Sequence, residues 1–181
     1  MGKTTTRWPR STLTAYHEAG HAVIACERGV SFAAVSILKD GESLGRVVPK
    51  LWADFDIENN QSLRARDRLE SVILVALAGG AATWRLTGRC PKIGIWGDYP
   101  QAVHLAEKLH QDHEVADRYL SYMAARAKAM MELPWTWAAV EALAGGLLDQ
   151  KQFTGNQARK IIRGSHEFYR SETGRRWRPL G

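Results

Sequence analysis

Apolar positions recur at helical spacing along most of this chain, with one short stretch of a different period. From Leu13 to Cys26 small and apolar residues crowd a segment led by Thr12 and Thr14, either of which suits a helix start, and Gly29 suits the position beyond a helix end. The pattern predicts a buried helix over 12–28. Between Val30 and Leu38 small and apolar residues alternate around Val35 and Ile37, as in a strand. Lys39-Asp40-Gly41-Glu42 reads as a turn and 45–51 as a second strand, giving a hairpin. Pro49 has no N–H to give a ladder, so that strand belongs at an edge.

Residues 54–61 are polar and loop-like, and helical spacing returns from Ser62 to Leu86 through Leu63, Leu69, Val72, Ile73, Ala76 and Leu77. Gly79-Gly80 weakens the middle of that helix and predicts close packing against another backbone. A Gly- and Pro-containing loop over 87–97 follows, with Asp98 as the expected cap of a helix to about Gln111. Further helices are expected over 114–133 and 135–150, separated at Pro134, which suits a first helical turn. Thr154-Gly155-Asn156-Gln157 has capping-box form and opens a last helix to about Arg170. The expected fold is therefore mainly α with a small β-hairpin, an α+β arrangement of five or six helices.

Composition sharpens this only slightly. The chain has 181 residues, 45% apolar and 24% charged, which suits one globular domain over 11–170. A disordered basic start (1–10) and a basic tail (171–181) are expected to flank it. The apolar run from Ser71 to Thr83 is shorter than the roughly 20 residues a membrane span needs, and no signal peptide is visible behind Lys3, Arg7 and Arg10. Two cysteines make no disulfide framework: Cys26 reads as a small core residue and Cys90 as a free loop thiol. A cytoplasmic protein is the expectation. The net charge of +6 gathers at the ends, notably Arg159, Lys160, Arg163, Arg170, Arg175, Arg176 and Arg178. No nucleic-acid-binding pattern accompanies it, so a solvated helix face is favoured over nucleic acid.

The chemistry lies in His17-Glu18-Ala19-Gly20-His21. On a helix, an HExxH segment projects two imidazoles from one face, where they can share a zinc ion, and sets a carboxylate beside the first to take a proton from water. With six histidines and eleven glutamates, about one chain in a hundred of this make-up would carry such a segment by accident. Its place in a buried helix argues further against accident.

Two histidines leave a catalytic zinc one protein ligand short. His110 and His113 sit near a helix junction among charged residues and read as solvated, His104 is a weak candidate, and Glu27 faces away from His21. Asp98 follows a loop in which Gly94 and Gly97 allow close backbone approach, and a carboxylate at a helix start can reach a metal held by another helix. From the residues alone a plain helix cap is the commoner role for such an aspartate, and the ligand role holds in about one case in three.

His17-Glu18-Ala19-Gly20-His21-Ala22 resembles the zinc motif in the peptidase domain of FtsH-type ATP-dependent zinc metalloproteases. Val35-Ser36-Ile37-Leu38 with Leu44-Gly45 is similar to that family's hairpin, and Leu77 to Ala82 to its Gly-containing buried helix. Gly94 to Asp98, with Ala102, Leu105 and Ala106, resembles the segment that carries its third ligand. Glu141 to Ala144, Leu147-Leu148 and Phe153-Thr154-Gly155 resemble its closing helices, so the likeness covers roughly 12–165.

The resemblance implies His17, His21 and Asp98 as ligands of Zn2+, and Glu18 as general base. It implies a zinc metalloendopeptidase acting on unfolded or flexible polypeptides. The family's ATPase module and membrane anchor have no counterpart here, and no phosphate-binding GKT or GKS loop appears. A separate ATPase or unfoldase and a homo-oligomer are the partners this suggests. The departures are Thr83-Trp84, where the family carries acidic residues, and the bulkier Ile95-Trp96 before Asp98. If Trp96 covers the site, the alternative is a catalytically inactive adaptor or assembly protein of the same fold.

Overall fold

A computed structural model describes residues 8–38, 46–49, 62–89 and 95–173, with the backbone alone for 46–49, 95–97 and 173. The expectations for the N-terminal start before residue 8, the turn at Lys39–Glu42, the loop at 54–61, Cys90, the Trp96 side chain and the tail beyond 173 lie outside the described residues. The described order is α1 (Arg10–Glu27), β1 (Phe32–Ser36), β2 (Arg46–Pro49), α2 (Leu63–Thr87), α3 (Ile95–Leu109), α4 (His113–Glu132), α5 (Pro134–Gln150), β3 (Gln152–Thr154) and α6 (Gly155–Thr173). The protein is mainly helical with a small antiparallel sheet.

Helix α1 is the centre of the molecule. Every residue from Glu18 to Ala25 is buried, because α2 covers one side and α5, with the sheet, covers others. Its start differs from expectation. Pro9 precedes it with no side-chain cap, and Thr14 Oγ1 instead donates to the Arg10 carbonyl at 3.0 Å. Helix α2 runs antiparallel to α1: His21 meets Val75 near its middle, while Arg28, beyond the end of α1, pairs with Asp67 near the start of α2. The helices come close because Gly20 faces α2 without a side chain. A Cβ there would lie 2.7 Å from Ala82 Cβ and 2.8 Å from the Ala78 carbonyl oxygen. The close approach predicted at Gly79-Gly80 thus takes another form. Gly20 supplies the helix–helix contact, Gly79 faces side chains of α1, and a Cβ on Gly80 would meet nothing within 4 Å.

Helix α2 is capped by Ser62, whose hydroxyl accepts from the Ala65 N–H at 3.2 Å, and closes on Gly88 at φ +68. At 25 residues it exceeds the apolar run legible in the sequence and is long and apolar enough to cross a membrane, yet 61% of its most apolar window is buried inside the molecule. It serves here as a core helix. Helix α4 packs on α2 and α3, and Arg85 of α2 ties them to α5: it donates to the Met131 carbonyl, pairs with Glu132 at 3.5 Å and lies over the Trp137 ring.

The hairpin is as expected, β1 pairing antiparallel with β2 through Val35–Val47 and Ser36–Arg46, and β2 with its Pro49 takes the edge. The third strand was not anticipated. Residues 152–154 add to the other side of β1, giving the order β2-β1-β3. Three residues are too few to show a period, and the pairing comes from α5 ending on left-handed Lys151 (φ 66), whose carbonyl accepts the Ile37 N–H at 2.8 Å. The capping box then starts α6, the Thr154 N–H donating to Gln157 Oε1 at 2.8 Å and the Gln157 N–H to Thr154 Oγ1 at 3.3 Å.

Candidate metal centre

Four residues apart on a buried helix, a little more than one full turn, His17 and His21 direct their rings across the α1–α2 seam. Their orientation comes from the backbone of α2. The Val75 carbonyl accepts from His21 Nδ1 at 2.6 Å, and the His17 ring bonds to the backbone of Gly79, toward which its Nδ1 edge is turned. Positions 75 and 79 are four apart, as are 17 and 21, so one antiparallel helix presents a matching pair of carbonyls. The Val75 carbonyl, already engaged at i+4, keeps a second lone pair for His21, whereas the Gly79 carbonyl also takes the Thr83 hydroxyl and shares its oxygen with His17. With Nδ1 committed, each ring turns Nε2 toward the same point.

Asp98 supplies the third atom. His17 Nε2 to Asp98 Oδ2 is 3.0 Å, His21 Nε2 to the same oxygen is 3.1 Å, and the two Nε2 atoms are 3.1 Å apart. Asp98 does not cap its helix. α3 begins at Ile95, so the carboxylate leaves from the first turn, where a negative charge suits the helix dipole, and Pro100 lies inside the helix at the loss of one backbone bond. Glu18 is buried at 6% exposure beside His17 in the chain, and its charge acts on His21.

Three lone-pair atoms about 3 Å apart repel one another unless a cation lies among them. A proton is one such cation. Burial drives the His21 imidazole toward the neutral form, but the Asp98 charge and hydrogen bond, the Glu18 charge and the Val75 carbonyl outweigh it and raise its pKa to about 9. His17 goes the other way, lowered chiefly by burial, with the His21 charge acting in the same direction. Burial would raise Asp98, yet the two histidines hold it well below the usual carboxylate range. A divalent metal is the other cation. Tetrahedral zinc with bonds of 2.0–2.1 Å spaces its ligand atoms about 3.3–3.4 Å apart, within a few tenths of an ångström of these edges. Among the described residues, His17, His21 and Asp98 form the cluster able to hold a metal ion.

The remaining histidines stand elsewhere. His113 is 89% exposed, as expected, and His104, the weak candidate, is exposed and stands outside the cluster. His110 is not solvated: its ring packs on Tyr119 with centroids 4.7 Å apart and its Nε2 is buried, because the end of α3 folds back onto α4. Glu27 turns away, accepting from Thr136 Oγ1 at 2.9 Å and facing His166 at 3.5 Å. Cys26 is half-buried against the core rather than within it. The partners Val75 and Gly79 were missed because backbone carbonyls leave no trace in residue identity. The Gly79-Gly80 pair was the one available signal.

The chain is 31% identical over 110 residues to the ATP-dependent zinc metalloprotease FtsH of Rickettsia bellii (strain RML369-C). The match takes in 59% of this chain and 16% of that protein, so the chain spans about a sixth of the length of this relative. No family model matches the chain. The comparison supports an FtsH-like relationship.

Proposed function

We propose that the protein is a zinc-dependent endopeptidase of the FtsH peptidase type, with His17, His21 and Asp98 as metal ligands and Glu18 as general base. The observation that carries the reading is the convergence of two Nε2 atoms and one carboxylate oxygen to 3.0–3.1 Å, with the HExxH glutamate buried beside them. Likeness to an FtsH supports it.

A bound zinc ion supplies Lewis acidity, polarising a scissile carbonyl and acidifying a water molecule near pH 7. The chain does the rest. The α2 carbonyls hold the histidines in the tautomer that exposes Nε2, and Asp98 adds the charge that a divalent ion requires. Glu18 accepts the proton of the attacking water and returns it to the departing amine nitrogen, so the C–N bond breaks as the new C–O bond is kept. Strand β2, at the sheet edge, offers main-chain groups to an extended polypeptide substrate. The burial of α2 supports action outside the bilayer, and we assign the domain to the cytoplasm, fed by a separate unfoldase or by substrates that are already flexible.

Zinc content of the freshly purified protein and a casein digest test this together. Wild type is expected to hold one zinc per chain and to cleave. Glu18→Gln is expected to keep the zinc and to lose at least about 100-fold in cleavage rate, the scale of a missing general base. Cleavage by Glu18→Gln at the wild-type rate would refute the role of Glu18.

A further inference from the structure

Both imidazoles rest against a single backbone position of α2. We propose that Gly79 is a positioning residue for the metal centre: its missing side chain admits the two rings, and its backbone holds His17. The inference rests on the metal reading of His17, His21 and Asp98 given above.

Two neighbouring glycines separate the possibilities. A Cβ on Gly79 would collide with His21 Nε2 and lie 2.7 Å from His17 Cε1 and 2.8 Å from His17 Nδ1. A Cβ on Gly80 would meet nothing within 4 Å. Both residues weaken a helix to a similar degree, so helix propensity does not distinguish them. Only position 79 faces the ligands.

The rings have no room to yield. His21 is 5% exposed and tied to the Val75 carbonyl at 2.6 Å. His17 is bound to Gly79 itself. The Gly79 carbonyl also accepts from Thr83 Oγ1 at 2.8 Å, and Thr83 is buried, which ties that carbonyl to its own helix. This gives Thr83, a departure from the family pattern, a place beside the site. With alanine at 79 the imidazoles must swing off α2, and the 3.0–3.1 Å triangle with Asp98 opens.

The test pairs stability with metal binding. In chelator-treated protein, Gly79→Ala should lower the melting temperature of the wild-type background. In a His17→Ala/His21→Ala background the colliding atoms are gone, and the same substitution should raise it, because alanine is the better helix former. Gly80→Ala should raise it in both. A general packing role for residue 79 predicts a shift of one sign in both backgrounds, and that result would overturn the proposal. If Gly79→Ala alone does not fold, recovery of folded protein in the triple variant supports the proposal, and failure of the triple variant overturns it. In chelator competition Gly79→Ala should bind zinc at least 10-fold more weakly than wild type, with Gly80→Ala unchanged. Equal zinc affinity of Gly79→Ala and wild type overturns the positioning role. A wild-type protein that binds no zinc overturns instead the metal reading on which it rests.

Discussion

Replacing Gly20 by alanine tests whether the site depends on the spacing of two helices. The added Cβ would sit 2.7 Å from Ala82 Cβ and 2.8 Å from the Ala78 carbonyl oxygen, where carbon atoms in good contact stand about 3.5–4.0 Å apart. Neither neighbour can rotate aside: one is a methyl carbon fixed to the backbone, the other is backbone. The helices must separate by roughly 1 Å, loosening a seam in which Ala15, Ala19, Ala22, Ala78 and Ala82 are fully buried. Overpacking of this kind costs about 1–3 kcal/mol. Alanine in place of a helical glycine returns up to about 1 kcal/mol. With the full return the expected net loss is up to about 2 kcal/mol, or up to about 8 °C in Tm for a chain of this size.

A control separates propensity from crowding. Gly164 in α6 is exposed and a Cβ there would meet nothing within 4 Å, so Gly164→Ala should gain up to about 1 kcal/mol. Urea unfolding of chelated protein measures both. The separation should also stretch the 2.6 Å bond from His21 Nδ1 to Val75, an orienting contact whose loss commonly weakens metal binding about 10–100-fold. If Gly20→Ala is as stable as wild type and binds zinc equally, the claim that α2 sets the ligand geometry through close approach is wrong.

Two further outcomes follow from the same structure. Asp98→Ala removes the oxygen shared by both histidines and should leave zinc occupancy well below one per chain by atomic absorption, and full occupancy would reject Asp98 as a ligand. Tyr119 has its pKa raised by burial and then by the Glu70 carboxylate, so the folded chain holds the phenolic proton more tightly than the unfolded one. Its contribution to stability is complete below the unfolded value of 10.0 and is lost as pH climbs above it, so Tyr119→Phe should flatten the fall in urea midpoint between pH 9 and pH 11, and an unchanged fall would contradict the assignment.

Period and punctuation in the sequence determined the succession of helices, the hairpin with Pro49 at its edge, the capping box at Thr154–Gln157, and the pair His17 and His21 with Glu18 between them. Each depends on residues a few positions apart, and local chemistry suffices for that. Tertiary structure decided the rest. Asp98 belongs with His17 and His21 only because α3 starts at Ile95 and packs against α2, a relation across 77–81 positions that spacing cannot encode. Strand β3 exists because β1 has a free edge beside the end of α5, and His110 is half-buried, its Nε2 shielded, because α4 returns over it. The Val75 and Gly79 carbonyls orient the histidines only once α2 lies antiparallel to α1, since every residue carries the same carbonyl and folding alone selects which ones face a ring.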